Sequence, residues 1–147
     1  MFRNTSEGVL YLDGISSRPV YKVSDGQRAL NFPPSAGGCQ PGSCDNPPGQ
    51  VCDALLLATI AIQPSETVQW SWDGTTTVER QHPDEPTQKC LQKVAVPAQE
   101  LTVQVPFGTE SGPDSDANPA LTRVKNPVIK EVRFSFPANE SIEVPAP

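Results

Sequence analysis

Proline limits what this chain can fold into more than any other feature. Seventeen of its 147 residues are proline, more than twice the usual share of roughly 5%. Each lacks a backbone N–H and fixes φ, which kinks a helix interior and excludes the residue from a central strand. Between the prolines the apolar residues alternate, and the 3.6-residue repeat of an amphipathic helix is nearly absent. With ten glycines added, proline plus glycine stays short of the roughly 25–30% that marks low-complexity disorder. The chain therefore reads as folded, with many short segments and stiff connections.

Those segments read as strands. "GVLYLDG" (8–14) and "PVYKV" (19–23) are short and bounded by Gly and Pro, the usual strand punctuation. "VCDALLLATIAI" (51–62) has a helix-like composition, but its end reads better as a buried strand. In "ETVQWSWDGTTTVER" (66–80), Val68, Trp70 and Trp72 share one face, and Asp73-Gly74 follows. That pair is the type I′ turn signal, so Thr75 to Val78 is expected to return as a hairpin partner. "KCLQKVAV" (89–96), "ELTVQVPF" (100–107) and "NPVIKEVRFSF" (126–136) complete the main set, the last with Val132, Phe134 and Phe136 on one face. "QHPDEPTQ" (81–88) and "TESGPDSDANPA" (109–120) read as loops, and Ser141 to Val144 as a short edge strand.

The expected fold is all-β, a single-domain sandwich or barrel of seven to nine short antiparallel strands. The β domain spans 8–136, with a Cys-rich loop at 33–52. Extended arms flank it at 1–7 and 137–147. Both arms are poor in core-forming residues and are expected to be disordered alone or to dock onto a neighbour.

Three of the four cysteines lie in "GGCQPGSCDNPPGQVC" (37–52), and the fourth is Cys90. A zinc site wants two close ligand pairs, but only Cys39 and Cys44 make one. The C-x4-C opening is that of a plant-type ferredoxin loop, yet the third cysteine follows after seven residues where two are needed. Disulfides fit better. Pro41-Gly42 suits the centre of a type II turn, which would bring Cys39 beside Cys44 and leave Cys52 to pair with Cys90. Four cysteines allow three pairings, so this one is an expectation. No cofactor and no bound metal are expected.

The remaining candidates carry weaker chemistry. The one histidine, His82, sits in a polar, proline-flanked loop beside Glu79, Asp84 and Glu85 and reads as solvated, with no catalytic residues assigned. Asp114, Asp116 and Asn118 alternate like the opening of a calcium loop, but Pro119 and Lys125 stand where an EF-hand needs Gly and Glu, which leaves a plain acidic turn or, as the alternative, an irregular calcium site. Trp70 and Trp72 could offer a stacking platform for a sugar or an interface, with core packing the plainer reading.

A formal charge of −6 with dispersed Lys and Arg argues against nucleic acid as a partner. The longest apolar run, Ala54 to Ile62, is far below the roughly 20 residues that span a bilayer, so no membrane partner is expected. Residues 1–20 lack a basic n-region and an apolar h-region, so no secretory leader is expected. Disulfides without a leader suit a virion, which is assembled in a cytosol and oxidised afterwards. The expected function is thus non-enzymatic: a capsid decoration or cement protein of a tailed phage, held on the capsid surface by interface burial. Its expected partners are the major capsid protein, or another virion protein, and its own copies in a homotrimer or other homo-oligomer. Two alternatives stand beside it: a tail, baseplate or fibre-attachment subunit, and an extracellular ligand-binding β-sandwich module.

Overall fold

The computed structural model describes residues 1–15, 18–30, 38–53, 57–115, 118–138 and 140–146. Every regular element among them is a strand. In chain order these are β1 (Phe2–Asn4), β2 (Leu10–Ile15), β3 (Arg18–Pro19), β4 (Lys22–Ser24) and β5 (Gly38–Pro41). Next come β6 (Gln50–Asp53), β7 (Leu57–Ile62), β8 (Thr67–Val68), β9 (Thr75–Gln81) and β10 (Lys89–Ala95). The last five are β11 (Gln99–Gly108), β12 (Glu110–Ser115), β13 (Asn118–Lys125), β14 (Val128–Phe136) and β15 (Val144–Ala146). The all-β expectation holds. The count exceeds seven to nine because proline and glycine cut the chain into pieces as short as two residues.

The strands group into two compact units. The first comprises Met1–Ala29, Leu56–Ser71 and Ala98–Pro147; the second comprises Leu30–Leu55 and Trp72–Pro97. In the first, β11 is the spine of a six-stranded sheet. It pairs antiparallel with β14 along its length, from Gln99↔Phe136 to Phe107↔Val128. Its other edge takes β4 at Val103↔Val23 and β2 at Phe107↔Leu12, and β2 in turn pairs with β7. Alternate residues Leu101, Val103, Val105 and Phe107 of β11 are buried, as the two-residue period requires. On β14 the half-buried set is Val132, Phe134 and Phe136, the face expected from the sequence.

The chain ends depart from the arms expected at 1–7 and 137–147. β1 pairs in parallel with β15 and antiparallel with β8, forming a three-stranded sheet within this unit. Phe2 is 0% exposed, and its ring meets Phe107 with centroids 5.5 Å apart. The Asn4 side chain, also fully buried, donates to the carbonyls of Gly8 (2.8 Å) and Ile62 (2.9 Å) and accepts from the Ser6 N–H. A few well-placed apolar residues (Phe2, Val144, Ala146) suffice to dock the ends, although their sequence context is polar.

Residues 109–120, expected as a loop, form most of the β12–β13 hairpin. The two strands make a two-stranded sheet, so the missing N–H of Pro113 costs little at an edge. Side-chain bonds fix the hairpin to the main sheet: Asp13 Oδ1 accepts from the Val124 N–H at 2.7 Å, and Thr122 Oγ1 from the Thr59 N–H at 2.8 Å.

Candidate functional site

The second unit holds all four cysteines and the histidine. Among the described residues its buried apolar side chains are Cys90 and Val96. Disulfides and buried hydrogen bonds tie its described strands together.

The pairing differs from the one expected. The bridges are Cys39–Cys52, with Cα atoms 4.0 Å apart, and Cys44–Cys90, at 4.9 Å. The cause is strand register. The 33–52 region is no open loop where it is described: β5 and β6 pair antiparallel with Cys39 directly opposite Cys52. Pro41-Gly42 does not turn the chain, because the hairpin runs on through a bond from the Gly42 N–H to the Gly49 carbonyl (2.9 Å). The reversal lies beyond, at Ser43 to Asn46, where Asn46 N–H donates to the Ser43 carbonyl (3.1 Å). That places Cys44 against β10: Leu91 N–H donates to the Gly42 carbonyl (2.8 Å) and Cys44 N–H to the Leu91 carbonyl (3.1 Å). With every thiol consumed in a disulfide, none is left to ligate zinc or a cluster.

His82 is 2% exposed and is not the solvated loop residue expected. Its Nδ1 accepts from the Asp84 N–H (3.2 Å), so Nε2 carries the proton and donates to the Asn46 carbonyl at 2.8 Å. Its own backbone N–H donates to the Gln88 carbonyl (2.9 Å). The ring therefore clips the 81–88 turn to the turn after Cys44, and neither nitrogen is offered to a substrate. The nearby acids are engaged too: Glu79 pairs with Lys89, and Glu85 Oε1 accepts from Thr87 Oγ1 at 2.6 Å.

The tryptophan hairpin expected at 66–80 is not formed. β8 stops at Val68 and pairs with β1, while β9 pairs with β10 from Thr75↔Ala95 to Gln81↔Lys89. Trp70 and Trp72 both lie between β8 and β9, outside any strand. Trp70 stacks at 5.1 Å on Tyr21, and Trp72 Nε1 donates to the Thr75 carbonyl (2.7 Å). Both are half-buried. Asp73-Gly74 does turn, with Gly74 at φ +72°. The turn is closed by the Asp73 carboxylate, which accepts from the Thr75 N–H (3.1 Å) and hydroxyl (2.6 Å).

The same carboxylate meets Lys93 Nζ at 2.5 Å. Lys93 first, and then the Thr75 hydroxyl, hold the Asp73 pKa down from its ordinary 3.8 to about 2. A depressed carboxylate stabilises the fold above its unfolded pKa, and that contribution disappears as pH falls through the folded value. The Asp73→Asn variant is therefore expected to lose less thermal stability than the native chain between about pH 4 and about pH 2. Equal slopes in low salt would show that the turn carboxylate plays no such part.

Of the acidic set, Asp114 ion-pairs with Arg123 at 2.5 Å across the β12–β13 hairpin. Asp116 lies outside the described residues, and so does the side chain of Asn118. Among the described residues no group of three His, Cys, Asp or Glu side chains converges to hold a metal ion. Comparisons with protein families, with characterised proteins and with solved structures find no match to this chain.

Proposed function

We propose that the chain is a non-enzymatic structural protein of a virion exterior, a decoration or cement protein that stabilises a capsid of the tailed-phage type by burying surface against it. The observation that carries this reading is the second unit, in which two disulfides join four strands and the buried apolar side chains among the described residues are Cys90 and Val96. Such a unit persists where thiols stay oxidised, and virion surfaces are one such place. His82, Glu79, Asp73 and Asp114 are committed to turns and ion pairs, which favours a scaffold over a catalyst. The docked chain ends change the expected mode of attachment. Contact with the shell falls to sheet edges and faces rather than to arms, and edge strands suit that task.

Quantitative mass spectrometry of particles purified from the virus that encodes the chain tests this reading. Hundreds of copies per particle are expected of a decoration protein. A few copies would assign it to a tail, baseplate or fibre instead. Its absence from particles, together with tryptophan quenching on titration with sugars, would favour the extracellular ligand-binding module.

A further inference from the structure

The six-stranded sheet ends at β14. Among the described residues its only strand partner is β11. From Val128 to Ser135 the opposite edge takes no strand among the described residues, and an open edge of this kind invites another strand. Proline is absent from it, and its charges are not all of one sign. Val128 and Ile129, 59% and 58% exposed, are two of the three exposed large hydrophobics of the described residues, and both lie on this strand. Val132, Phe134 and Phe136 point to the core side yet are only half-buried.

The charges on β14 select an occupant. Glu131 and Arg133 lie on its exposed face, two positions apart. Arg133 enters no ion pair among the described residues, and Glu131 accepts a bond from the Gln104 amide. We propose that β14 pairs antiparallel with β14 of a second copy of this chain, about a two-fold axis at Val132.

A two-fold axis normal to the sheet keeps each face on its own side, so only registers centred on a residue are allowed. Centred on Val132, Glu131 lies opposite Arg133 of the second copy, and Arg133 opposite Glu131, giving two cross-strand ion pairs. Lys130 then lays its stem along Phe134 of the second copy. Moving the centre by one residue opposes Glu131 to Glu131, or Arg133 to Arg133, and directly opposed like charges are unfavourable. The strand is thus self-complementary in one register and repelled in its two neighbours. The contact is small, so the dimer dissociates on dilution. The inference is independent of the virion reading.

Sedimentation velocity of the oxidised protein over about a hundredfold concentration range tests it. A monomer–dimer equilibrium is expected. Glu131→Arg alone and Arg133→Glu alone each turn two attractions into two repulsions and should weaken dimerisation by about tenfold or more. An equimolar mixture of those two variants, and the double variant Glu131→Arg/Arg133→Glu, restore opposite charges and should recover the native constant. Circular dichroism of each variant separates lost pairing from lost folding. A native protein that stays monomeric overturns the inference, and so does a dimer indifferent to single charge reversal or unrescued by the mixture.

Discussion

Replacing Cys44 and Cys90 by serine is expected to cost about 4 kcal/mol, as the chain-entropy account gives for a loop of this length; their separation is 46 residues. The Cys39–Cys52 bridge, 13 residues apart, carries about 3 kcal/mol on the same account. Both figures fall on a unit whose described apolar burial is limited to Cys90 and Val96. Loss of the longer bridge should therefore unfold the second unit while the first, with its own core, stays folded. Hydrogen exchange would show the pattern directly: β9 and β10 lose protection in the serine variant or in reductant, and β11 and β14 keep theirs. Uniform loss across both units would contradict it. Peptide mapping without reductant must also recover Cys39 joined to Cys52. A peptide joining Cys39 to Cys44 would refute the pairing.

The Phe2→Ala variant should be destabilised by about 3–5 kcal/mol, the range for deleting a fully buried phenylalanine ring. Phe2 is fully buried, meets the Phe107 ring, and lies on a strand held between β15 and β8. Denaturation in urea measures the effect. A free arm would predict no change in midpoint, so the experiment decides between a docked and a loose N-terminal segment. Loss of Asn4 should add to the damage, because its fully buried side chain bonds the Ile62 carbonyl in the interior and the Gly8 carbonyl at the edge.

The parts of the fold that were legible in sequence are those where a strand's own pattern decides the outcome. β11 and β14 alternate clearly, and each took the face its residues dictated. What stayed hidden were choices between partners. Val68, Trp70, Trp72 and Asp73-Gly74 do specify a turn, yet Thr67 and Val68 pair with β1, near the start of the chain. A local hairpin rule contains no term for that competition. The disulfide pairing failed likewise: Pro41-Gly42 favours a turn, but hairpin bonds from Gly42 to Gly49 and strand contacts to Leu91 settled the register. Residues 109–120 look like a loop because the hairpin they enter is anchored further on, at Thr122 and Val124, to Thr59 and Asp13 far away in sequence. His82 gave no sign of burial either, since its partners are backbone groups, which composition cannot display.

The pairing of β1 with β15 also bears on how the chain comes to be folded. Thr5 bonds to Ala146, 141 positions away, and Phe2 lies opposite Val144. A chain made from its N-terminus releases Phe2 well before Val144, its partner across the sheet. Until Val144 emerges, the ring lacks one of the strands that flank β1. Contacts so distant in sequence form slowly, because the loop must close before they contribute. A strand made early is thus among the last to find its place.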